Sequence, residues 1–112
     1  MKKIPSLNTT PATTHTGEPA VTRNEAWLLI EILNPQGRDA AEHLHGSIAD
    51  MSLYRFSDQP EVDYEAFSKR VEKMPFHQRQ ALCNSAQAFW AHTHRYGRNQ
   101  ETLVKRVFII AE

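Results

Sequence analysis

The sequence predicts an all-α fold, a compact bundle of about five helices that follows a disordered N-terminal tail. Apolar residues recur at intervals of three and four along most of the chain after residue 21. Capping and turn signals divide that region into segments of helical length. The chain has 112 residues, of which 40% are hydrophobic, so it is long enough for one buried core and too short for two.

Residues 1–21 are expected to form a flexible tail, and residues 22–112 a single helical domain. The tail contains Pro5, Pro11 and Pro19, five threonines and no aromatic residue. Such a segment buries too little apolar surface to offset the entropy lost on ordering it. The domain therefore begins where the first helix begins.

The first helix is predicted to start at a capping box. In Thr22-Arg23-Asn24-Glu25, the threonine hydroxyl and the glutamate carboxylate stand at the spacing that satisfies each other's backbone N–H groups. The following AWLLIEILN is apolar on most of its circumference. A helix of this kind is expected at the centre of the core or beneath a partner chain.

Two amphipathic helices are predicted next. Asn34-Pro35-Gln36-Gly37 matches a type I turn, and a helix from about Arg38 into the low fifties should follow it. The next helix is predicted from about Pro60 to Lys73, after a turn at residues 57–60. The apolar stripes of these two helices are Ala41, Leu44, Ile48 and Met51, and Tyr64, Phe67, Val71 and Met74.

The stretch from Pro75 to Gly97 predicts one long helix around which the other segments pack. Proline suits the start of a helix, and glycine suits the position just past its end. One face carries an apolar stripe that Cys83 and Trp90 widen. The stripe consists of Leu82, Ala86, Phe89, Thr93 and Tyr96.

The C-terminal segment is interpreted as a fifth helix with Asn99 as its N-cap. Its apolar residues are largely β-formers, so a strand is the competing interpretation. The apolar pairs at 103/104 and 107/108 repeat every four residues, whereas a half-buried strand would alternate singly. This spacing favours helix to the end of the apolar run.

Charge is balanced overall and unevenly distributed. The formal net charge is zero, so no excess charge steers the protein toward nucleic acid or an anionic membrane. Residues 24–59 carry two basic and six acidic side chains, a net of minus four, and residues 75–112 carry five basic and two acidic ones, a net of plus three. These two regions are expected to attract each other, with a basic face on the second.

Catalysis, metal binding and cofactor binding are not expected. His43 and His45, like His92 and His94, are about 200° apart on a helix, so neither pair chelates one ion by itself. Cys83 lies beside the apolar stripe and is interpreted as a small hydrophobic residue. It is the only cysteine, so no intramolecular disulfide forms, and with no signal sequence or membrane span a cytoplasmic protein is expected. There is no phosphate loop, carboxylate pair or serine elbow, so no enzyme is predicted.

The junction around Gly97 is the strongest candidate site. A helix ends there and a second one opens with polar side chains flanked by basic ones, which outlines a helix-turn-helix. Thr93 and Arg98 depart from that pattern, and an ordinary αα-hairpin with solvated or paired basic residues is the alternative. The candidate nucleic-acid or partner contacts are Arg95, Arg98, Asn99, Gln100, Thr102, Lys105 and Arg106.

The preferred functional interpretation is a small non-catalytic regulatory or protein-interaction module that acts through helix-face contacts with a partner or with itself as a homodimer. The first helix and residues 107–110 supply more apolar surface than a small domain obviously needs. A DNA-binding regulator that uses the helix pair around Gly97 is the alternative.

Overall fold

A computed structural model describes residues 17–34, 39–54, 62–97 and 99–111, without the side chains of Leu53, Tyr54 and Tyr96. Residues 1–16 of the predicted tail and the predicted turns at 35–37 and 57–60 lie outside these residues. The predicted compact helical bundle is confirmed, and four of the described residues lie in strands. The elements are β1 (Ala20–Val21), α1 (Arg23–Ile32), α2 (Ala40–Tyr54), α3 (Tyr64–Lys73), α4 (Phe76–Tyr96), α5 (Gln100–Val107) and β2 (Ile109–Ile110).

Helix α4 packs against three other helices, as α1 and α2 also do, so the prediction that the other segments pack around α4 is confirmed only in part. It packs against α1, α2 and α5, while α3 packs against α2. The carbonyl of Pro75 accepts hydrogen bonds from the backbone N–H groups of Gln78 and Arg79 at the start of the helix. At the other end Gly97 has a φ of 49°, in the left-handed region that glycine adopts without a steric penalty.

The predicted inner stripe of α4 is buried at its first three residues, while Thr93 is half-buried. Leu82 and Ala86 are fully buried and Phe89 is 1% exposed, whereas the side chain of Tyr96 lies outside the described residues. The ring of Phe89 meets that of Trp27 edge to face, with centroids 5.4 Å apart. Helix α1 is covered within this single chain, since its apolar residues from Leu28 to Leu33 are buried. The surplus apolar surface expected of α1 is therefore part of the core.

Two helix starts illustrate how capping sets the boundaries. The capping box is confirmed, with Glu25 N–H donating to Thr22 Oγ1 at 3.1 Å and Thr22 N–H donating to Glu25 Oε1 at 3.0 Å. The predicted start of α3 near Pro60 is wrong. Asp63 has extended backbone and its carboxylate accepts from Ala66 N–H, so the helix begins at Tyr64.

The two ends of the described chain meet in a short parallel sheet, which corrects two predictions. Ala20 pairs with Ile109 and Val21 with Ile110, and Ala111 N–H donates to the carbonyl of Val21 at 2.7 Å. Val21 is 1% exposed, so the last residues of the predicted tail belong to the core. The predicted fifth helix stops at Val107, because the backbone groups of the next residues find partners in β1.

Candidate interaction surface

The side of α4 that points away from the core carries no aspartate, glutamate, lysine or arginine over four turns. Residues 80–94 include no aspartate, glutamate, lysine or arginine. We call the exposed part of this stretch the outer face, and Asn84, Gln87 and Ala91 on it are exposed while Ala81 and Ala88 are half-buried. Exposed helix faces of single-chain proteins normally carry charged residues. On this one the exposed His92 and His94 are the only titratable side chains.

The residues of the outer face repeat with the spacing of helix-packing positions. Ala81, Asn84, Ala88 and Ala91 are separated by three, four and three residues, which places them within about 80° of arc. The same spacing extends to His77 on one side and to Arg95 on the other. Small side chains along such a line allow a second helix to approach closely.

Two large hydrophobic side chains border the outer face. Phe76 is 49% exposed and Trp90 is 39% exposed, and they lie fourteen positions apart, about 21 Å along the axis. Trp90 was expected to widen the inner stripe, and it does so with one edge only. Its Nε1–H donates to the carbonyl of Ile30 at 2.9 Å and its ring meets Phe89 edge to face, while the rest of the ring contacts solvent.

An open groove of about 500 Å³ runs beside the outer face. Four of its lining residues belong to α4, and two charged residues of opposite sign reach it from the N-terminal segment and from α5. The other lining residues carry no titratable group, so these two side chains set the electrostatics of the groove. The residues are Ala81, Asn84, Ser85 and Ala88, with Glu18, Arg106 and Val107.

The carboxylate of Glu18 is half-buried in this groove. It accepts a hydrogen bond from Ser85 Oγ at 2.9 Å and another from the backbone N–H of Ile109. Burial nevertheless raises the pKa of Glu18, since the lost solvation outweighs what these two donors contribute to the charged form. A positively charged group brought to the groove would stabilise this carboxylate.

A second carboxylate, that of Glu101 on α5, accepts hydrogen bonds at both of its oxygens. It accepts from Arg23 Nε and Nη2 and from Trp27 Nε1, each at 2.7 Å. The hydrogen bonds from Arg23 are the largest influence on the pKa of Glu101 and lower it. These contacts fasten α5 to α1. The predicted attraction between residues 24–59 and 75–112 does not account for this ion pair, because Arg23 lies outside both ranges.

The residues predicted as contacts around Gly97 are partly brought together. Thr102, Lys105 and Arg106 share the exposed side of α5, whose opposite side buries Leu103 and Val104. Arg95 at the end of α4 is exposed, as are Asn99 and Gln100, whereas Arg98 lies outside the described residues. Asn99 precedes the helix as predicted, without a side-chain capping bond. Their role in binding stays a prediction.

The thiol and the histidines offer no assembled reactive group in the described residues. Cys83 is 2% exposed, and burial raises the pKa of its thiol to about 11, which confirms that it packs as an apolar side chain. In the part of the chain that the structure describes, no three histidine, cysteine, aspartate or glutamate side chains converge as metal ligands would.

Sequence reasoning missed Glu18 and Ser85 as parts of the groove. Glu18 lies in the segment assigned to the tail, and a serine within an apolar helix gave no signal of its own. The charge-free run from residue 80 to residue 94 was visible in the sequence and marks the surface directly.

Among the helices of the described residues, none combines the length and apolar character needed to cross a bilayer.

Comparisons with protein-family models, with curated proteins and with solved structures found no match to this chain.

Proposed function

We propose that this protein is a non-catalytic interaction module that binds a partner chain through the outer face of α4. The observation that supports this function is the exposed surface of residues 80–94, which has no aspartate, glutamate, lysine or arginine. The buried centres of protein interfaces are depleted in charged residues, because each ionised group placed there loses its solvation. A face without charge is therefore suited to being covered.

Helix α3 of the same chain provides the contrast. It has ten residues and carries Glu65, Lys69, Arg70, Glu72 and Lys73, and its first glutamate pairs with Lys69 across one turn at 3.6 Å. This is the pattern of a helix whose outer side stays in water. The outer face of α4 instead offers amides, which form hydrogen bonds across an interface at a lower desolvation cost than ionised groups.

Matched substitutions on the two helices test this function. Ala91 on α4 and Ala66 on α3 are both exposed alanines within helices. Tagged wild type, Ala91→Arg and Ala66→Arg are expressed in the native host, and the proteins bound in stoichiometric amount, the chain itself included, are quantified. We expect loss of the partner in Ala91→Arg and retention in Ala66→Arg, with both variants within about 0.5 kcal/mol of the wild-type unfolding free energy.

Equal retention by the two variants, or the absence of any stoichiometric partner of the wild type, contradicts the function. The unfolding measurement is part of the test, because a partner lost through unfolding of the variant would say nothing about the surface.

Nucleic-acid binding is the second candidate, and the exposed side of α5 favours it. Lys105 and Arg106 stand there beside Thr102, with Arg95 exposed at the end of the preceding helix. Such residues suit phosphate contacts and base-edge contacts of a helix-turn-helix. Binding to duplex DNA that weakens steeply with salt, and weakens further in Lys105→Ala with Arg106→Ala, is the expected result. Absence of binding at low salt would eliminate this candidate.

A further inference from the structure

Residues 17–21 form a strap that lies across α4 and β2 before α1 begins. Gly17 lies against the imidazole of His77, which is 3.5 Å from the position that a β-carbon would take. The carboxylate of Glu18 accepts a hydrogen bond from Ser85 Oγ at 2.9 Å. Further along the strap, β1 pairs with β2 in parallel over two residues. Two short strands by themselves form a marginal sheet, so the strap depends on its contacts with the rest of the chain.

The start of α1 is closed without help from the strap. Thr22 and Glu25 satisfy each other's backbone N–H groups in the capping box. The carbonyl of Thr22 accepts the first intrahelical hydrogen bond from Ala26 N–H at 2.9 Å. These bonds use no group of residues 17–21, so the strap can turn away at Thr22 while α1 stays folded.

Closure of the strap has a favourable and an unfavourable contribution. Val21 and Pro19 are buried, so closure removes apolar surface from water. Closure also desolvates the carboxylate of Glu18, and burial raises its pKa although Ser85 and the backbone N–H of Ile109 donate to it. An open strap would return this carboxylate to solvent.

We infer that the strap opens from α4 and β2 as one unit while the helices stay folded, so that the groove beside the outer face has a closed and an open form. In the closed form Glu18 lines the groove. In the open form this lining residue is removed and the edge of β2 that pairs with β1 is uncovered. Such an opening needs no partner, so it is independent of the proposed function.

Thiol labelling at two matched buried positions tests the opening. Val21 in the strap and Val104 on α5 are each 1% exposed. Val21→Cys and Val104→Cys are made separately in a Cys83→Ala background, which leaves one thiol in each protein. Reaction with excess Ellman's reagent is followed at neutral pH and at several urea concentrations below the unfolding transition, with the unfolding free energy of each variant measured in parallel.

The two thiols should respond differently to urea. Val21→Cys should react about tenfold faster than Val104→Cys, at a rate nearly independent of urea, because a local opening exposes little surface. Val104→Cys should react through unfolding of the bundle, at a rate that rises steeply with urea.

Substitutions added to the Val21→Cys protein test what fastens the strap. Ser85→Ala removes a hydrogen bond to a charged acceptor and should speed labelling about tenfold. Asn84→Ala, at the neighbouring exposed position, is the control and should change the rate less than about twofold. Glu18→Gln removes the charge but keeps an acceptor for Ser85, so it should slow labelling.

If Val21→Cys fails to fold, hydrogen exchange of Ala111 N–H, which donates to the carbonyl of Val21 at 2.7 Å, replaces labelling with the same Ser85→Ala and Asn84→Ala comparison. Labelling of Val21→Cys that rises with urea as steeply as that of Val104→Cys would overturn the inference, since the strap would then open only when the bundle unfolds. Equal effects of Ser85→Ala and Asn84→Ala would overturn it as well.

Discussion

The inner face of α4 is covered by other elements of the chain, whereas residues of its outer face are exposed to solvent. On the inner face Leu82, Ala86 and Phe89 are at most 1% exposed and contact several neighbouring elements. On the outer face Asn84 and Gln87 contact solvent and no charged residue lies among them. Neither face carries aspartate, glutamate, lysine or arginine between residues 80 and 94, but among the described residues only the inner face is covered. The proposed interaction depends on this difference.

The largest expected effect concerns the inner face. Phe89→Ala removes a fully packed ring that also meets Trp27 and Trp90 edge to face, so it should lower the unfolding free energy by about 3–5 kcal/mol in urea denaturation. Gln87→Ala on the outer face should change it by less than about 0.5 kcal/mol. Comparable losses in the two variants would show that the faces are not distinct.

Cys83 is buried on α4 and the next residue, Asn84, is exposed, so substitutions at these two positions test where the inner face ends. Cys83→Ser places a hydroxyl in an apolar site and should cost about 1–3 kcal/mol by thermal or urea unfolding. Asn84→Ser, one residue further along, should stay within about 0.5 kcal/mol. A neutral Cys83→Ser variant would mean that the thiol is not enclosed.

The same thiol makes stability depend on alkaline pH. The pKa of Cys83 is raised from an ordinary value of 9.0 to about 11, so above pH 9 the unfolded chain loses this proton while the folded chain keeps it. Stability should therefore fall as pH rises from 9 to 11. Comparison with Cys83→Ala isolates this contribution from lysine and tyrosine titration, and parallel profiles for the two proteins would contradict it.

Trp90 stands at the edge between the two faces. Trp90→Phe keeps an aromatic ring against Phe89 but removes the Nε1–H donor to the carbonyl of Ile30, with an expected loss of about 1 kcal/mol. Unfolding of the purified variant measures this loss. An unchanged stability would indicate that water replaces the indole at the end of α1.

The smallest effect is expected at Glu18, in the groove beside the outer face. Glu18→Gln retains an acceptor for Ser85 Oγ and should change stability at neutral pH by less than about 1 kcal/mol. Because burial raises the pKa of Glu18 above 4.5, the charged form is disfavoured in the folded state, and wild-type stability should fall as pH rises through that window. The glutamine variant should lack this fall, as pH-dependent urea unfolding would show. An identical pH profile in the two proteins would mean that the groove does not desolvate the carboxylate.

Prediction from the sequence succeeded where the signals were local. The start of α1 at Thr22 depends on hydrogen bonds within four residues, and the end of α4 depends on the backbone freedom of Gly97. The inner stripe followed from the helical period alone. The run from residue 80 to residue 94 without aspartate, glutamate, lysine or arginine was not among the predicted features, and which side of it meets solvent depended on the packing of α1 and α2.

Prediction failed where a residue's partner is distant in the chain. Ile109 and Ile110 continue the helical spacing of α5, and their strand became apparent only with the pairing to Ala20 and Val21 at the other end of the described residues. That contact also positions Glu18, whose segment looked too polar to fold. The attachment of Glu101 to Arg23 and Trp27 had no local signal either.

By itself, the sequence determined that the helices form, where α1 begins, where α4 ends and which side of the helices is apolar, because these depend on backbone hydrogen bonds and on a periodicity contained in a few turns. Only the tertiary structure decided that residues near the two ends of the described chain pair in a sheet. It also decided that Glu101 is paired with Arg23, whereas Glu18 is partly desolvated in a groove. Those outcomes depend on groups that only folding brings within hydrogen-bonding distance.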